Sequence, residues 1–264
     1  MKMNNFFTVG LVSIILLLIY FYNKKKIKTF FFKKKIKSID LVKVNKIFFP
    51  AKNIKYKFPK EEVIIKNFYA DPSFKIAGQT TDYEAWILSC LAKSSKNIFE
   101  FGTCSGKTTT LFALNSPPNS KVYTVTLNPK SLLNLSIGGN QDSKVALKNA
   151  VKETIYDQFI FTKMSIKNKI NLIFQDSTKL NIDKFKNLMD LIFIDGGHNY
   201  SCIKNDTEKA FKMIKKQGYI FWHDYKVYKN SCKDVVKYIH EISDKKKIFH
   251  IKNTSLCYYK YSNY

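Results

Sequence analysis

A glycine-containing turn after an apolar segment is the clearest chemical feature of the sequence. Ile98–Phe101 is apolar apart from Glu100, and Gly102 and Gly106 follow it, four positions apart. Glycines let the backbone approach a ligand closely, and a helix that begins after the turn presents free N–H groups. These residues therefore predict a strand, a turn and a helix start that together hold a small molecule carrying a nucleoside.

Three kinds of nucleotide-binding loop have to be distinguished. A P-loop has four residues between its glycines, whereas three separate Gly102 from Gly106, and a dinucleotide loop has a glycine where Cys104 stands. The spacing acidic-x-Gly-x-x-x-Gly from Glu100 to Gly106 resembles motif I of the class I S-adenosylmethionine (SAM) methyltransferases. A carboxylate beside the loop attracts a cationic sulfonium ligand and repels a triphosphate. Spacing and charge therefore favour SAM over a nucleoside triphosphate.

Two later segments extend this pattern. Met189–Tyr200 contains Asp-Gly-Gly-His-Asn-Tyr after an apolar run, and Gly218–Tyr225 ends in Trp-His-Asp-Tyr. Together with Asp206 between them, they resemble the small-molecule and sugar O-methyltransferases, a group that includes macrolide-sugar enzymes, over roughly residues 79–261. The resemblance implies methyl transfer from SAM to a hydroxyl of a small molecule or sugar.

The resemblance also implies which residues bind the cofactor. The predicted SAM-binding positions lie in the glycine loop and at the ends of the next two strands: Glu100, Gly102, Thr103, Gly106, Thr126, Asp176 and Ser177. Thr126 departs from the pattern, because an acidic residue about 20 positions after the glycine turn normally binds the ribose hydroxyls. A lost charged hydrogen bond costs roughly 1.5–3 kcal/mol. The alternative prediction is therefore a degenerate methyltransferase fold that serves only as a binding module.

Carboxylates follow two further apolar runs. Leu191–Ile194 and Tyr219–Trp222 are typical of parallel strands buried on both faces, and Asp195 and Asp224 come after them. If these strands are neighbours, about 4.8 Å apart, both carboxylates lie at the carboxyl edge of the sheet. Either the pair binds a divalent metal such as Mg²⁺, or Asp195 contacts SAM or caps a turn while Asp224 caps the next segment.

Histidines near these carboxylates are candidate proton acceptors. His198 lies in the loop after a predicted strand, and an ordinary histidine pKa of about 6.5 suits removal of a substrate hydroxyl proton. We predict His198 and Asp195 as the catalytic residues; the alternative for His198 is a structural hydrogen bond to the loop. His198, His223 and an aspartate also compose the ligand set of non-haem iron oxygenases, but such enzymes need no nucleoside-binding loop.

The order of the predicted elements indicates the fold class. Apolar runs at 98–101, 122–127, 170–177, 191–194, 219–222, 247–251 and 256–261 alternate with helical patterns. This alternation predicts an α/β fold with a doubly wound, mostly parallel, seven-stranded Rossmann-like sheet, in a domain spanning residues 67–264. The five cysteines have no Cys-x-x-Cys spacing, so the sequence indicates neither a disulfide framework nor a zinc site.

The N-terminal region predicts a membrane anchor. Phe6–Tyr22 is a run of 17 uncharged residues, which just reaches the length of a membrane span. No small-residue cleavage site follows it, and lysines are more frequent after the run than before it. The positive-inside rule then places the catalytic domain in the cytoplasm. We predict one transmembrane helix within an anchor at residues 1–23. The domain is then membrane-tethered, whether it is an active methyltransferase or only a binding module.

Residues 24–66 are predicted to be a basic juxtamembrane connector. They carry fifteen lysines and three acidic residues, a formal charge of +12 out of the chain's +25. Such a segment attracts anionic lipid headgroups. Nucleic acid is the competing partner, but all 45 basic residues of the chain are lysines, and bidentate recognition of phosphate is a property of arginine. We therefore expect a small-molecule or sugar acceptor and membrane lipids as partners, and no nucleic acid.

Overall fold

An eight-stranded sheet with helices on both faces forms the centre of the molecule. The computed structural model describes residues 14–21, 36–40, 62–65, 80–128, 156 and 158–262. The strands are β1 (Lys37–Ile39), β2 (Asn97–Phe101), β3 (Lys121–Thr126), β4 (Ile170–Phe174), β5 (Met189–Ile194), β6 (Ile214–Trp222), β7 (Phe249–Ile251) and β8 (Cys257–Lys260). The helices around the sheet are α1 (Asp82–Ala92), α2 (Lys107–Asn115), α3 (Tyr200–Met213) and α4 (Lys233–Ser243). Short 3₁₀ helices lie at Ile160–Lys163, Ser165–Lys169, Ser177–Lys179, Asp183–Phe185 and Asn230–Cys232.

The sheet is mostly parallel, as predicted. The strand order is β1-β7-β8-β6-β5-β2-β3-β4, and only β8 runs antiparallel to its neighbours. The seven predicted strands are all present as β2 to β8. The predicted number of strands, seven, was one too low, because β1 pairs with β7 and places Ile39 beside Ile251. β1 has only three residues in a lysine-rich region, and Ile39 alone among them is buried, so no alternating pattern marks it.

Helices cover both faces of the sheet, which confirms the doubly wound arrangement. One core lies under α3 and α4 and includes Phe99, Phe101, Ile203, Ala210, Val235 and Ile239. The other core lies under α1 and α2 and includes Ile87, Leu88, Ile98, Phe112 and Phe193. Successive residues of β2 thus alternate between the two cores, as the pleat of a strand requires. β2 is buried on both faces, and the loop that follows it starts from a rigid position.

The predicted membrane anchor has no support among the described residues. Residues 14–21 form a helix with exposed apolar side chains, for example Leu18 at 63% exposure. In the part of the chain that the structure describes, no helix combines the length and the apolar character that crossing a membrane requires. The rest of the predicted anchor at 1–23, and most of the predicted connector at 24–66, lie outside the described residues.

Two described pieces of the predicted connector lie against the domain. β1 is an edge strand of the sheet, and Lys252 donates its backbone N–H to the carbonyl of Ile39. The backbone N–H of Ile64 donates to the side chain of Asn115 at 2.8 Å, and the hydroxyl of Ser89 donates to the Ile64 carbonyl at 3.0 Å. These contacts join the connector to both α1 and α2, so it is in part a structural element of the domain.

Candidate active site

The glycine loop joins the end of β2 to the start of α2. Gly102 and Gly106 have φ angles of +99° and +81°, a backbone conformation that L side chains rarely adopt. A Cβ on Gly102 would lie 2.3 Å from the backbone oxygen of Asp195, and one on Gly106 would lie 2.8 Å from the ring of Phe161. Both positions therefore require glycine. The loop lies where the sheet continues to β3 on one side and to β5 on the other, the switch point at which open α/β sheets bind ligands.

Glu100 is buried beneath this loop and accepts hydrogen bonds from hydroxyl groups. Its carboxyl group is contacted by the hydroxyls of Thr109 and, at 2.7 Å, Thr124. Thr103 in turn lies 2.7 Å from the Thr124 hydroxyl. Burial raises the pKa of Glu100 to about 8; the hydroxyl bonds oppose this rise and the charge of Asp195 adds to it. At pH 7 the group is therefore mostly protonated, and the charge attraction expected from the sequence is replaced by a role in fixing the loop.

The other predicted cofactor positions lie at the carboxyl ends of β3 and β4. Thr126 is nearly buried, and its carbonyl accepts from the backbone N–H of Gln175 at 2.9 Å. The carboxylate of Asp176 accepts from the backbone N–H of Thr178 at 2.8 Å and so caps a short turn. The carbonyl of Ser177 accepts from Asn205 of α3 at 3.3 Å. These residues share the sheet edge with the glycine loop, and their contact with SAM stays a prediction.

Asp195 and Asp224 meet at the carboxyl edge of the sheet, as the sequence predicts for neighbouring strands. β5 and β6 are adjacent and parallel, with Ile194 beside Trp222. His223 lies between the two carboxylates: its Nδ1 is 2.9 Å from Asp195 and 3.6 Å from Asp224. A charged or metal-binding centre is therefore built from the ends of two buried strands.

Asp224 contacts both histidines of this centre and a lysine. Its Oδ2 lies 2.8 Å from Nε2 of His198, and its Oδ1 accepts from the ammonium of Lys226. Burial alone would raise the pKa of Asp224, but the hydrogen bonds from His198 and His223 outweigh it and hold the pKa far below its usual value. Asp224 is therefore an anion at neutral pH and orients His198, the predicted base.

Glu84 of α1 belongs to the same centre, although sequence reasoning missed it. Its Oε2 lies 3.5 Å from Nε2 of His223, while Oε1 accepts from the backbone N–H and the hydroxyl of Ser255 at 2.6 and 2.8 Å. Burial opposes its charge, yet the bond to His223 lowers the pKa of Glu84 to about 2. The sequence signal at this position is the capping box of Thr81 and Glu84, which predicts a helix start but no contact with a distant strand.

His223 is a buried cation in this arrangement. Its burial works against a charge, but Asp195, Asp224 and Glu84 raise its pKa well above the ordinary histidine value. An imidazolium has no lone pair with which to accept a proton. His223 therefore neutralises the carboxylates around it, and His198 is better placed as the base. A small pocket lined by Gly197, His198, Ile203 and Val235 lies beside the centre.

Among the described residues, two groups of side chains have ligand atoms close enough to hold a metal ion. Asp195, His223 and Asp224 form one, and His198, Asp224 and Cys232 form the other; in each, the ligand atoms lie within 4.8 Å of one another. The first group contains both predicted magnesium ligands and adds an imidazole. Its donors fit a divalent cation, which would displace the proton of His223 on binding.

Comparisons with known proteins agree with these features. Residues 99–225 match the model of a family described as a methyltransferase domain. Over 48 residues the chain is 40% identical to uncharacterized protein R132 of Acanthamoeba polyphaga mimivirus, a match that spans 18% of this chain and 22% of that protein. The chain thus aligns with only about a fifth of the length of that relative.

Solved structures of methyltransferases are similar in outline. SAH-bound PaMTH1 of Podospora anserina has 12% identity and a TM-score of 0.49, covering 70% of this chain and 80% of its own. The O-methyltransferase TomG of Streptomyces achromogenes, in complex with SAM, has 10% identity and a TM-score of 0.47, covering 90% and 96%. The strand order itself defines the fold. Residues 99–225 match a methyltransferase domain, and their glycine loop and strand order are those that the sequence predicts for the class I SAM-dependent type.

Proposed function

We propose that the chain transfers a methyl group from SAM to a hydroxyl of a small molecule or sugar. One observation carries this proposal: the glycine loop lies directly against the strand end that bears Asp195. A Cβ on Gly102 would lie 2.3 Å from the Asp195 backbone oxygen. The edge expected to hold the cofactor and the centre able to accept a proton are therefore adjacent, as methyl transfer to a hydroxyl requires.

The residues at the sheet edge fit SAM. The positive φ angles of Gly102 and Gly106 shape the turn between β2 and α2, and α2 begins immediately after them with its N–H groups toward the loop. Thr126, Asp176 and Ser177 extend the same edge toward the expected position of the nucleoside. Bound SAM supplies an electrophilic methyl group on a sulfonium. The chain's contribution is to orient that methyl group and to remove a proton from the acceptor.

His198 is the proposed proton acceptor. Asp224 accepts the Nε2–H of His198 at 2.8 Å, which holds the tautomer whose basic lone pair is on Nδ1. Lys226 contacts the other oxygen of Asp224 and fixes the carboxylate. A proton taken from the acceptor hydroxyl would be held at Nδ1, and the resulting imidazolium would be stabilised by Asp224. This is the arrangement of a base with an orienting carboxylate.

Asp195 and Asp224, with His223, would hold a divalent cation if the protein uses one. Carboxylate oxygens are the ligands that Mg²⁺ prefers, and such an ion lowers the pKa of a hydroxyl that it contacts. Magnesium is therefore part of the proposal for this centre.

A second candidate function is a binding module on a degenerate methyltransferase fold. Thr126 favours it, because a threonine stands where the family has a ribose-binding acid.

Whichever function holds, we propose that the N-terminal region associates with a membrane and that the domain lies in the cytoplasm. Residues 24–66 would attract anionic lipids. This placement is motivated by the uncharged run Phe6–Tyr22 and by the lysines that follow it in the sequence.

The proposal is tested by methyl transfer from labelled SAM to a panel of sugars, glycosides and phenols, with and without Mg²⁺. Asp195→Asn removes a carboxylate at the carboxyl end of β5 and should lower the rate by at least about 100-fold. The matched control, Asp190→Asn, changes the amino end of the same strand, where Asp190 accepts backbone N–H groups at 2.8 and 2.9 Å. The control should keep its activity. Equal rates for both variants, or label found only on amines or thiols, would contradict the proposal.

A further inference from the structure

A buried thiol lies next to the proposed base. Cys232 is fully buried and immediately precedes α4, at the end of the 3₁₀ turn Asn230–Cys232. Its sulfur lies within 4.8 Å of ligand atoms of both His198 and Asp224. Methyl transfer to a hydroxyl has no use for a thiol at this place. The position therefore calls for an explanation of its own.

We infer that His198, Asp224 and Cys232 form a binding site for a thiophilic divalent cation of the zinc type. Zinc binds imidazole nitrogen, carboxylate oxygen and thiolate sulfur at roughly 2.0–2.3 Å, usually with tetrahedral geometry. Ligand atoms in such a site are about 3.3–3.7 Å apart. In the present structure all three ligand atoms lie within 4.8 Å of one another, so side-chain movements of about 1 Å would bring them to zinc-binding distances.

The charges of the group also suit a divalent cation. A neutral His198, an anionic Asp224 and a Cys232 thiolate together carry two negative charges. Binding releases the thiol proton of Cys232 to solvent and replaces the hydrogen bond between His198 and Asp224 by two metal bonds. Lys226 contacts Oδ1 of Asp224, whereas Oδ2 faces His198 and is the oxygen available to the metal. A small pocket borders His198 and Asp224, two of the three ligands.

Sulfur distinguishes this site from the neighbouring group of Asp195, His223 and Asp224. That group offers oxygen and nitrogen only, and carboxylate oxygens select hard cations such as Mg²⁺ or Mn²⁺. A thiolate selects softer ions, of which zinc is the common one. The absence of Cys-x-x-Cys spacing, which argued against a zinc site at the level of the sequence, is no obstacle here, because His198 comes from the loop after β5 whereas Asp224 and Cys232 come from the connection between β6 and α4.

Occupancy of this site would have a regulatory effect. A metal-bound His198 cannot accept a proton, so zinc would suppress methyl transfer while SAM still binds at the glycine loop. This consequence rests on the proposed function, whereas the metal site itself does not.

Cobalt titration of the full chain, without SAM, tests the site directly, because Co²⁺ bound to a thiolate gives a near-ultraviolet charge-transfer absorption. We expect this absorption to saturate at one equivalent and to disappear when Zn²⁺ is added. Cys232→Ser should abolish it. The control Cys257→Ser removes another fully buried thiol, on β8, and should retain it.

Two results would overturn the inference: no thiolate absorption with the unmodified chain, or absorption that persists in Cys232→Ser. If circular dichroism shows that Cys232→Ser does not fold, His198→Gln decides. It should weaken cobalt binding at least about 10-fold, and an unchanged affinity would reject the site. A parallel SAM titration keeps this outcome separate from failure of the proposed function.

Discussion

Glu100 and Asp224 are both buried carboxyl groups near the carboxyl edge of the same sheet, yet their charge states are opposite. Glu100 is 1% exposed and Asp224 is 5% exposed. The pKa of Glu100 is raised to about 8, because hydroxyl partners do not compensate for its burial. The pKa of Asp224 is lowered, because His198, His223 and Lys226 more than compensate for a similar burial.

The charge of these two carboxyl groups is therefore decided by their hydrogen-bonding and charged partners, and not by how deeply they are buried. A neutral Glu100 with threonine partners holds the glycine loop in place. A charged Asp224 orients a histidine and offers an oxygen to a cation. Glu100 lies within an apolar strand pattern and Asp224 follows one, so the strand pattern alone does not separate a structural acid from a functional one.

Of the substitutions considered, Asp224→Asn should cause the largest loss of unfolding free energy. The amide keeps the shape but leaves His198, His223 and Lys226 with one anion fewer. Loss of one partner from a buried ionic network costs about 3–5 kcal/mol of unfolding free energy. Urea denaturation at pH 7 measures this loss. The exposed Asp183→Asn variant is the control, and a change no larger than that of the control would contradict the account.

Glu84→Gln should have the next largest effect, about 1.5–3 kcal/mol at pH 7, because it removes a charged bond to His223. The pKa of Glu84 is lowered from 4.5 to about 2, so its stabilisation is present above pH 4.5 and is lost as the pH falls through 2. The stability difference between native and variant chains should therefore shrink between pH 5 and pH 2 in denaturation curves. A difference that stays constant over this window would show that the charge is not responsible.

Gly106→Ala should destabilise the chain by about 1–2 kcal/mol, because alanine disfavours the left-handed conformation. The added Cβ would also lie 2.8 Å from the ring of Phe161. Gly196→Ala is a matched control in the neighbouring turn, where the nearest contact is the Asp206 carboxylate at 3.3 Å. Thermal unfolding compares the two. Equal losses would mean that the positive φ of Gly106 is not a constraint.

Glu100→Gln should have the smallest effect at or below pH 4.5, less than about 1 kcal/mol, because there it replaces a group that is neutral in both the folded and the unfolded state. The pKa of Glu100 is raised from 4.5 to about 8 by folding. Between these two pH values, the folded chain therefore keeps a proton on Glu100 that the unfolded chain has lost. Native stability should therefore fall relative to the variant as the pH rises from 4.5 to 8. Denaturation at pH 5 and pH 8 measures this trend, and the opposite sign would mean that Glu100 is charged when folded.

The elements that could be predicted from the sequence are those marked by continuous apolar runs. The seven strands β2 to β8 follow from apolar runs, and the meeting of Asp195 with Asp224 follows from their places after two neighbouring parallel strands. The strand β1 could not be predicted, because its pairing with β7 depends on one buried residue, Ile39, in a lysine-rich segment.

Contacts between distant segments could not be predicted either. Glu84 reaches His223 from the first turn of α1, and Cys232 reaches His198 from the turn before α4. No local pattern encodes either approach. The partners of Glu100 could not be predicted for the same reason, since α2 and β3 supply the hydroxyls that contact it.

The most direct test of the methyltransferase proposal is calorimetric titration of SAM into the full chain and into Gly106→Ala. We predict micromolar binding to the native chain, weakened at least about 10-fold in the variant, which corresponds to about 1.4 kcal/mol. No binding at millimolar SAM, from a chain whose circular dichroism shows the folded state, would contradict the methyltransferase account and favour the binding module.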